Sequence, residues 1–229
     1  MLDQSIDFIR VTIALVMLGI ATSSDIKKRE ISDIVWIIFG AAGAIMLIFS
    51  VDITEDLFKV GIALIVAPIA LIIWRVGLFG GADAFALIAL AVIAPGMTVF
   101  EGTVTPFTTL TNAVLLSIVP MLVNAVRNTI LLASKRNIFD GFEETKARKI
   151  FAMFIGYRAA NPKFGFSIER MQGKKKKLKL SIQHAESTQF CEKKDTWITP
   201  GIPYMIFIAA GFVVQLVFGD ILATVFGIF

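Results

Sequence analysis

The chain is written in long apolar runs separated by short polar breaks. Six runs approach the ~20 residues that a helix needs to cross a bilayer. They cover about 6–24, 34–51, 57–74, 84–100, 108–126 and 202–218, and the tail 220–229 can extend the last. Pro68, Pro95 and Pro120 fall inside runs, where they are expected to kink helices whose neighbours re-satisfy the freed carbonyls. Between the fifth and sixth runs, residues 135–198 are of different material: polar, with 15 of the 22 Lys and Arg. The pattern predicts an all-α polytopic membrane protein with six transmembrane helices and a small α+β cytoplasmic insert between helices five and six. Its parts are a membrane domain at 1–134, the insert at 135–198 and a return to the membrane at 199–229.

Basic residues set the orientation. Lys27, Lys28 and Arg29 follow the first run, Arg75 the third, and Arg127, Lys135 and Arg136 the fifth. Placing these connections in the cytoplasm leaves only Arg10 and Lys59 outside. The connection after the second run carries Asp52, Glu55 and Asp56 instead. Both termini are then extracellular. The first run reads as a retained span, because it opens with Asp3, Asp7 and Arg10 and lacks a small-x-small cleavage pattern.

Composition narrows the class. The chain is 56% hydrophobic, only 17% charged, and has a mean hydropathy of +0.79, which excludes an ordinary soluble domain. Its net charge of +4 is concentrated in the insert, and no nucleic-acid partner is expected. Cys191 is the only cysteine and His184 the only histidine. That excludes an intrachain disulfide and a cysteine metal cluster, and argues against a histidine-based zinc protease. No metal or other cofactor is expected.

Two carboxylates do not fit a purely structural reading. Ionisable groups within apolar spans cost roughly 2.5–3.5 kcal/mol at a helix centre and are functional candidates by default. Asp25 ends the first run, which travels inward. Asp83 opens the fourth, which travels outward. Parity therefore delivers both to the cytoplasmic face; one span more or fewer would separate them by ~30 Å of hydrocarbon. Beside Asp83 the chain reads Gly77-Leu78-Phe79-Gly80-Gly81-Ala82-Asp83-Ala84. Glycines there let the backbone bend and let another chain approach. The alternative is a flexible turn with Asp83 as helix N-cap, and for Asp25 a solvated charge beside Lys27 and Lys28.

Gly80-Gly81-Ala82-Asp83 resembles the Gly-x-Gly-Asp motif of membrane aspartic proteases. Asp25-Ile26-Lys27-Lys28-Arg29-Glu30-Ile31 resembles the first-aspartate motif of the type IV prepilin peptidases, and Gly201-Ile202-Pro203-Tyr204 their Gly-x-Pro-Phe segment. The chain is most similar to the archaeal branch, the preflagellin peptidases. Ala82 stands where that motif has its second glycine, and Ala84 and Phe85 follow the aspartate where bacterial relatives carry an apolar residue and a lysine. The resemblance implies Asp25 and Asp83 as catalytic pair, and Gly80, Gly81, Ala82 and Pro203 as the motif surface for substrate access. It implies preflagellin or prepilin-like precursors as partners, cut after a short basic leader. Membrane lipids are the other expected partner.

In the insert, 140–158 is expected to be an amphipathic helix, with Phe142, Ile150, Phe151, Phe154 and Ile155 on one side. Phe164, Phe166 and Ile168 alternate, as do Leu178, Leu180 and Ile182, with Gly173 between them. An antiparallel hairpin is predicted, with lysines 174–177 at its turn, solvated or facing anionic lipid. His184 and Glu186 read as surface residues. A basic insert repels a basic leader, so its expected role is docking on the membrane or covering the site. Two alternatives stay open. A small proton- or cation-coupled transporter could use the same aspartates, with Asn112 and Asn124 as polar residues in the fifth span. Within the protease reading, Asp33 could replace Asp25.

Overall fold

The computed structural model describes residues 2–99, 102–173, 175–181 and 188–227. His184, Glu186, Lys174 and Ile182 lie outside the described residues. The chain divides into two compact units, one of residues 1–116 and 203–229, the other of residues 117–202.

The first unit is helical. It contains α1 (Leu2–Lys28), α2 (Asp33–Ile48), α3 (Ile53–Ala63), α4 (Val66–Val76), α5 (Gly81–Ile93), α6 (Pro106–Leu116), α9 (Met205–Phe218) and α10 (Ile221–Phe226). Helix α5 forms the middle of the core: Ala84, Ala86, Leu87, Ala89, Leu90, Ala91 and Ile93 are buried. Its alanines let neighbours come close. On α2, a Cβ at Gly43 would meet Cγ1 of Ile93 at 3.0 Å, and on α9 a Cβ at Gly211 would meet the Thr109 carbonyl at 2.7 Å, so glycine is needed at both crossings.

Among the described residues, three helical stretches are long and apolar enough to cross a membrane: Ser5–Lys28, Ile53–Val76 and Pro106–Ala133. Asp33–Ile48, Gly81–Ile93 and Met205–Phe218 are apolar but shorter. The prolines account for the interruptions. A proline removes the bond to the carbonyl four residues back and crowds it. Helix α3 ends at Ala63, just before Leu64, four residues ahead of Pro68; α6 ends at Leu116, four ahead of Pro120. The fourth run does not remain helical to residue 100. Helix α5 stops at Ile93, ahead of Pro95 and Gly96, the latter at φ 142°, and the chain continues as the short hairpin β1 (Met97–Val99) and β2 (Gly102–Val104). At 13 residues α5 rises only ~20 Å.

The second unit contains α7 (Ile118–Ala133), α8 (Lys146–Ile155) and strands β3 (Tyr157–Ala159), β4 (Gly165–Ser167), β5 (Glu169–Gln172), β6 (Lys175–Leu178) and β7 (Thr196–Pro200). Its core forms around Trp197, fully buried, whose indole N–H donates to the Ile138 carbonyl at 2.7 Å and whose ring stacks on Phe139. Two expectations are corrected here. The helix of 140–158 is only Lys146–Ile155, because Thr145 caps it by accepting the Arg148 N–H and Gly156 ends it. Phe142 is buried, but Ile150, Phe151 and Phe154 are exposed. The hairpin turns at Gly173, φ 63°, as its flexibility favours. It joins β5 to β6, however, and Lys175, Lys176 and Lys177 lie in strand β6. Phe166 sits in β4, which pairs with β7 and not with the lysine strand. A Cβ at Gly165 would run into Cδ1 of Ile198, so a larger residue there would make that side chain turn aside for β4 to lie against β7.

Candidate active site

Three helix ends of the first unit meet around the two aspartates. Asp25 lies in the last turn of α1, Asp83 in the first turn of α5, and α9 begins beside them. Helix starts leave unbonded N–H groups that favour a nearby anion. Each carboxylate takes one of these donors. The Met205 N–H, first in α9, donates to Asp25 Oδ2 at 3.4 Å. The Gly80 N–H donates to Asp83 Oδ2 at 2.9 Å. Asp83 is thus the third residue of its helix, and Gly80 is the N-cap; glycine has no side chain to return the bond. Thr22, one turn before Asp25, donates its hydroxyl to the Met205 carbonyl at 3.4 Å, so α1 holds both polar groups of that residue.

The two aspartates are near enough to interact through their charges. Asp83 is buried, with 6% of its surface accessible, and Asp25 is half-buried. Arg29, half-buried, acts on Asp25 through its charge. It ends α1 at φ 59°, a left-handed conformation that glycine adopts more easily, and its N–H returns to the Asp25 carbonyl at 2.9 Å. Asp33 is exposed at the start of α2.

The motif residues divide by position. Gly80 has ordinary backbone angles, φ −81° and ψ 164°, and a Cβ there would lie 3.5 Å from Asp83 Oδ2. Its value is the close approach of its N–H to the carboxylate. Gly81 and Ala82 are the first two helical residues of α5; Ala82 packs against the core, and its methyl suits a right-handed helical position. Pro203 accepts the Ile206 N–H at the start of α9. One contact was not foreseen. The rings of Phe79 and Tyr204 pack at 5.4 Å between centroids, and Tyr204 meets Phe207 at 5.7 Å. Phe79 precedes Gly80 and Tyr204 precedes Met205, so the aromatic pair joins the two segments whose amides hold the aspartates. Its sequence signal was adjacency: each ring stands one residue before a holding amide.

The two asparagines of the fifth run are occupied by backbone. Asn112 Nδ2 donates to the carbonyls of Gly211 and Gly219, and its Oδ1 accepts the Ile221 N–H at the start of α10. In the other unit, Asn124 donates to the Phe154 carbonyl, and Asn128 to those of Met153 and Gly156, satisfying the end of α8.

An apolar helical bundle with two carboxylates gathered at helix termini is the frame of a membrane protein with acid–base capacity. The description "Type IV leader peptidase family" matches residues 12–126, and "Archaeal Peptidase A24 C-terminus Type II" matches residues 142–221. A protein named preflagellin peptidase, from Methanocaldococcus jannaschii, is 26% identical over 227 residues, covering 91% of this chain and 95% of that one. The chain belongs to the type IV leader peptidase family, and is a protease of that family.

Proposed function

We propose that the protein is an aspartic endopeptidase that removes short basic leader peptides from preflagellin or prepilin-like precursors, with Asp25 and Asp83 as its catalytic pair. The observation that carries this reading is the meeting of the two carboxylates, each held by one backbone N–H and interacting through charge. Two like charges brought together share a proton, and the pair titrates as a unit. One carboxylate takes a proton from a water. The other hydrogen-bonds the scissile carbonyl and stabilises the tetrahedral intermediate. The hydrogen bonds to Met205 and Gly80 use one oxygen of each carboxyl and leave the other for this chemistry. The family match and the name of the similar protein support the substrate class.

In this reading all six apolar helical segments lie in the membrane, both termini are extracellular, and the dyad faces the cytoplasm. A leader stays in the cytoplasm while the apolar segment after it enters the bilayer, which brings the scissile bond to that face. The transporter alternative loses support, because Asn112 and Asn124 bond backbone carbonyls. Purified protein incubated with a preflagellin in detergent is expected to release the leader, and Asp25→Asn and Asp83→Asn are expected not to. Equal cleavage by either variant and the parent rules the pair out.

A further inference from the structure

Helix α8 carries an apolar stripe on the side opposite to its core contact. Ala147, Ile150, Phe151 and Phe154 stand at i, i+3, i+4 and i+7, the spacing that normally faces a core. All four are exposed, Ile150 at 57% and Phe151 at 50%. The opposite side turns inward, with Ala152 fully buried in the core of the same unit. Single exposed apolar residues need no explanation, but a contiguous stripe marks a contact surface.

The tether of α8 indicates what covers it. Asn124 and Asn128 of α7 bond the carbonyls at the C-terminal end of α8. The candidate span Pro106–Ala133 has 28 residues. Helix α7 forms the C-terminal part of that span; its 16 residues rise ~24 Å, most of the ~30 Å hydrocarbon core, and its far end is where the span leaves the lipid. Asn124 and Asn128 lie in the last ten residues of α7, and they hold α8 beside that end of the span. Around the same tether α7 also presents apolar residues outward: Val119, Leu122, Val123, Val126 and Ile130. Lys146, exposed at the margin of the α8 stripe, has a stem long enough to keep its ammonium among headgroups.

We propose that α8 is an interfacial helix whose stripe beds into the headgroup–acyl boundary of the bilayer. Such helices sink their apolar face ~5–10 Å below the headgroups. This holds whichever reaction the protein catalyses, since it rests on α7 and α8 alone. The test uses the full chain with Cys191→Ser, carrying one nitroxide at a time through Ala147→Cys, Phe151→Cys or Phe154→Cys. The protein is reconstituted in phosphatidylcholine–phosphatidylglycerol vesicles, and collision with oxygen and with a water-soluble nickel chelate is compared. The oxygen-to-nickel ratio at all three positions is expected to exceed that of a label at exposed Glu192 by at least about fivefold. A ratio equal to that at Glu192 overturns the proposal, because the stripe then faces water. Protection from both reagents overturns it too, because protein then covers the stripe: another part of this chain, a second copy or a bound precursor. Ala147→Cys removes no packed group, so the result survives if the phenylalanine variants fail to fold.

Discussion

The two ends of the helical unit handle buried charge in opposite ways. At one end Arg10 of α1 is almost wholly buried; it donates to Asp56 Oδ2 at 2.8 Å and to the carbonyl of Ile93, the last residue of α5, at 3.2 Å. A cation, an anion and an orphan carbonyl satisfy one another there. At the other end of the same helices, Asp25 and Asp83 bring like charges together, each with one backbone donor. The first arrangement serves to join α1, α3 and α5. The second works against folding, since both groups cannot be charged cheaply. Under the proposed function that repulsion serves chemistry and not packing.

Substitution should separate the two ends. The largest effect is expected at the acidic end: Asp83→Asn or Asp25→Asn lowers the rate of leader cleavage by ~10³-fold or more. The detergent melting temperature should stay or rise, because repulsion is relieved. A variant that is both inactive and unfolded would make the acidic end structural, like its counterpart.

At the neutralised end the order reverses. Arg10→Met leaves the Asp56 carboxylate with only the longer Lys59 contact at 3.9 Å and takes the Arg10 donor from the Ile93 carbonyl, and is expected to cost about 3 kcal/mol in reversible unfolding. Cleavage per folded molecule should be little changed. A stability equal to the parent's would show that the buried pair is dispensable.

A smaller effect sharpens the geometry of the acidic end. Tyr204→Ala removes the ring that packs on Phe79 and should lower kcat ~10–100-fold with KM nearly constant, since small misplacements of reacting groups are costly. Tyr204→Phe keeps the ring and should restore the rate. Failure of that rescue would assign the effect to the hydroxyl.

The smallest effect comes from an ion pair outside the bundle. Arg158 grips the exposed Asp195 with two bonds of 2.7 Å and holds its carboxyl below the usual carboxylate range. A lowered folded value means that the contribution is present above the unfolded carboxylate value of about 3.9 and is lost as pH falls through the folded one. Asp195→Asn should therefore leave the melting temperature within about 2 °C of the parent at neutral pH, and narrow the gap further in acid. A large loss at pH 7 would break the contrast between exposed and buried pairs.

Much of the frame was legible because lipid leaves few choices. Apolar runs and prolines located the helices and their interruptions, and the turn at Gly173 followed from its neighbours. Local signals failed where partners are distant in sequence. The Met205 N–H that holds Asp25 is 180 residues away. Arg10 looked like a stray outer charge because Asp56 lies 46 residues on. Strand β4 was paired with the wrong partner because alternation marks a strand and not its neighbour; β7 lies beyond residue 195. The fourth run was read too long because its apolar residues continue past Pro95, although the helix does not.

One dimension of α1 bears on how water and substrate reach Asp25. It lies three positions before Lys28, the end of the helix, a rise of ~4.5 Å. In the proposed topology a carboxyl so close to the helix end needs no conduit through the bundle for water to reach it. Under the proposed chemistry, a precursor has only to lift the first turn of its apolar segment clear of the lipid, and the remainder can stay immersed and helical during the cut.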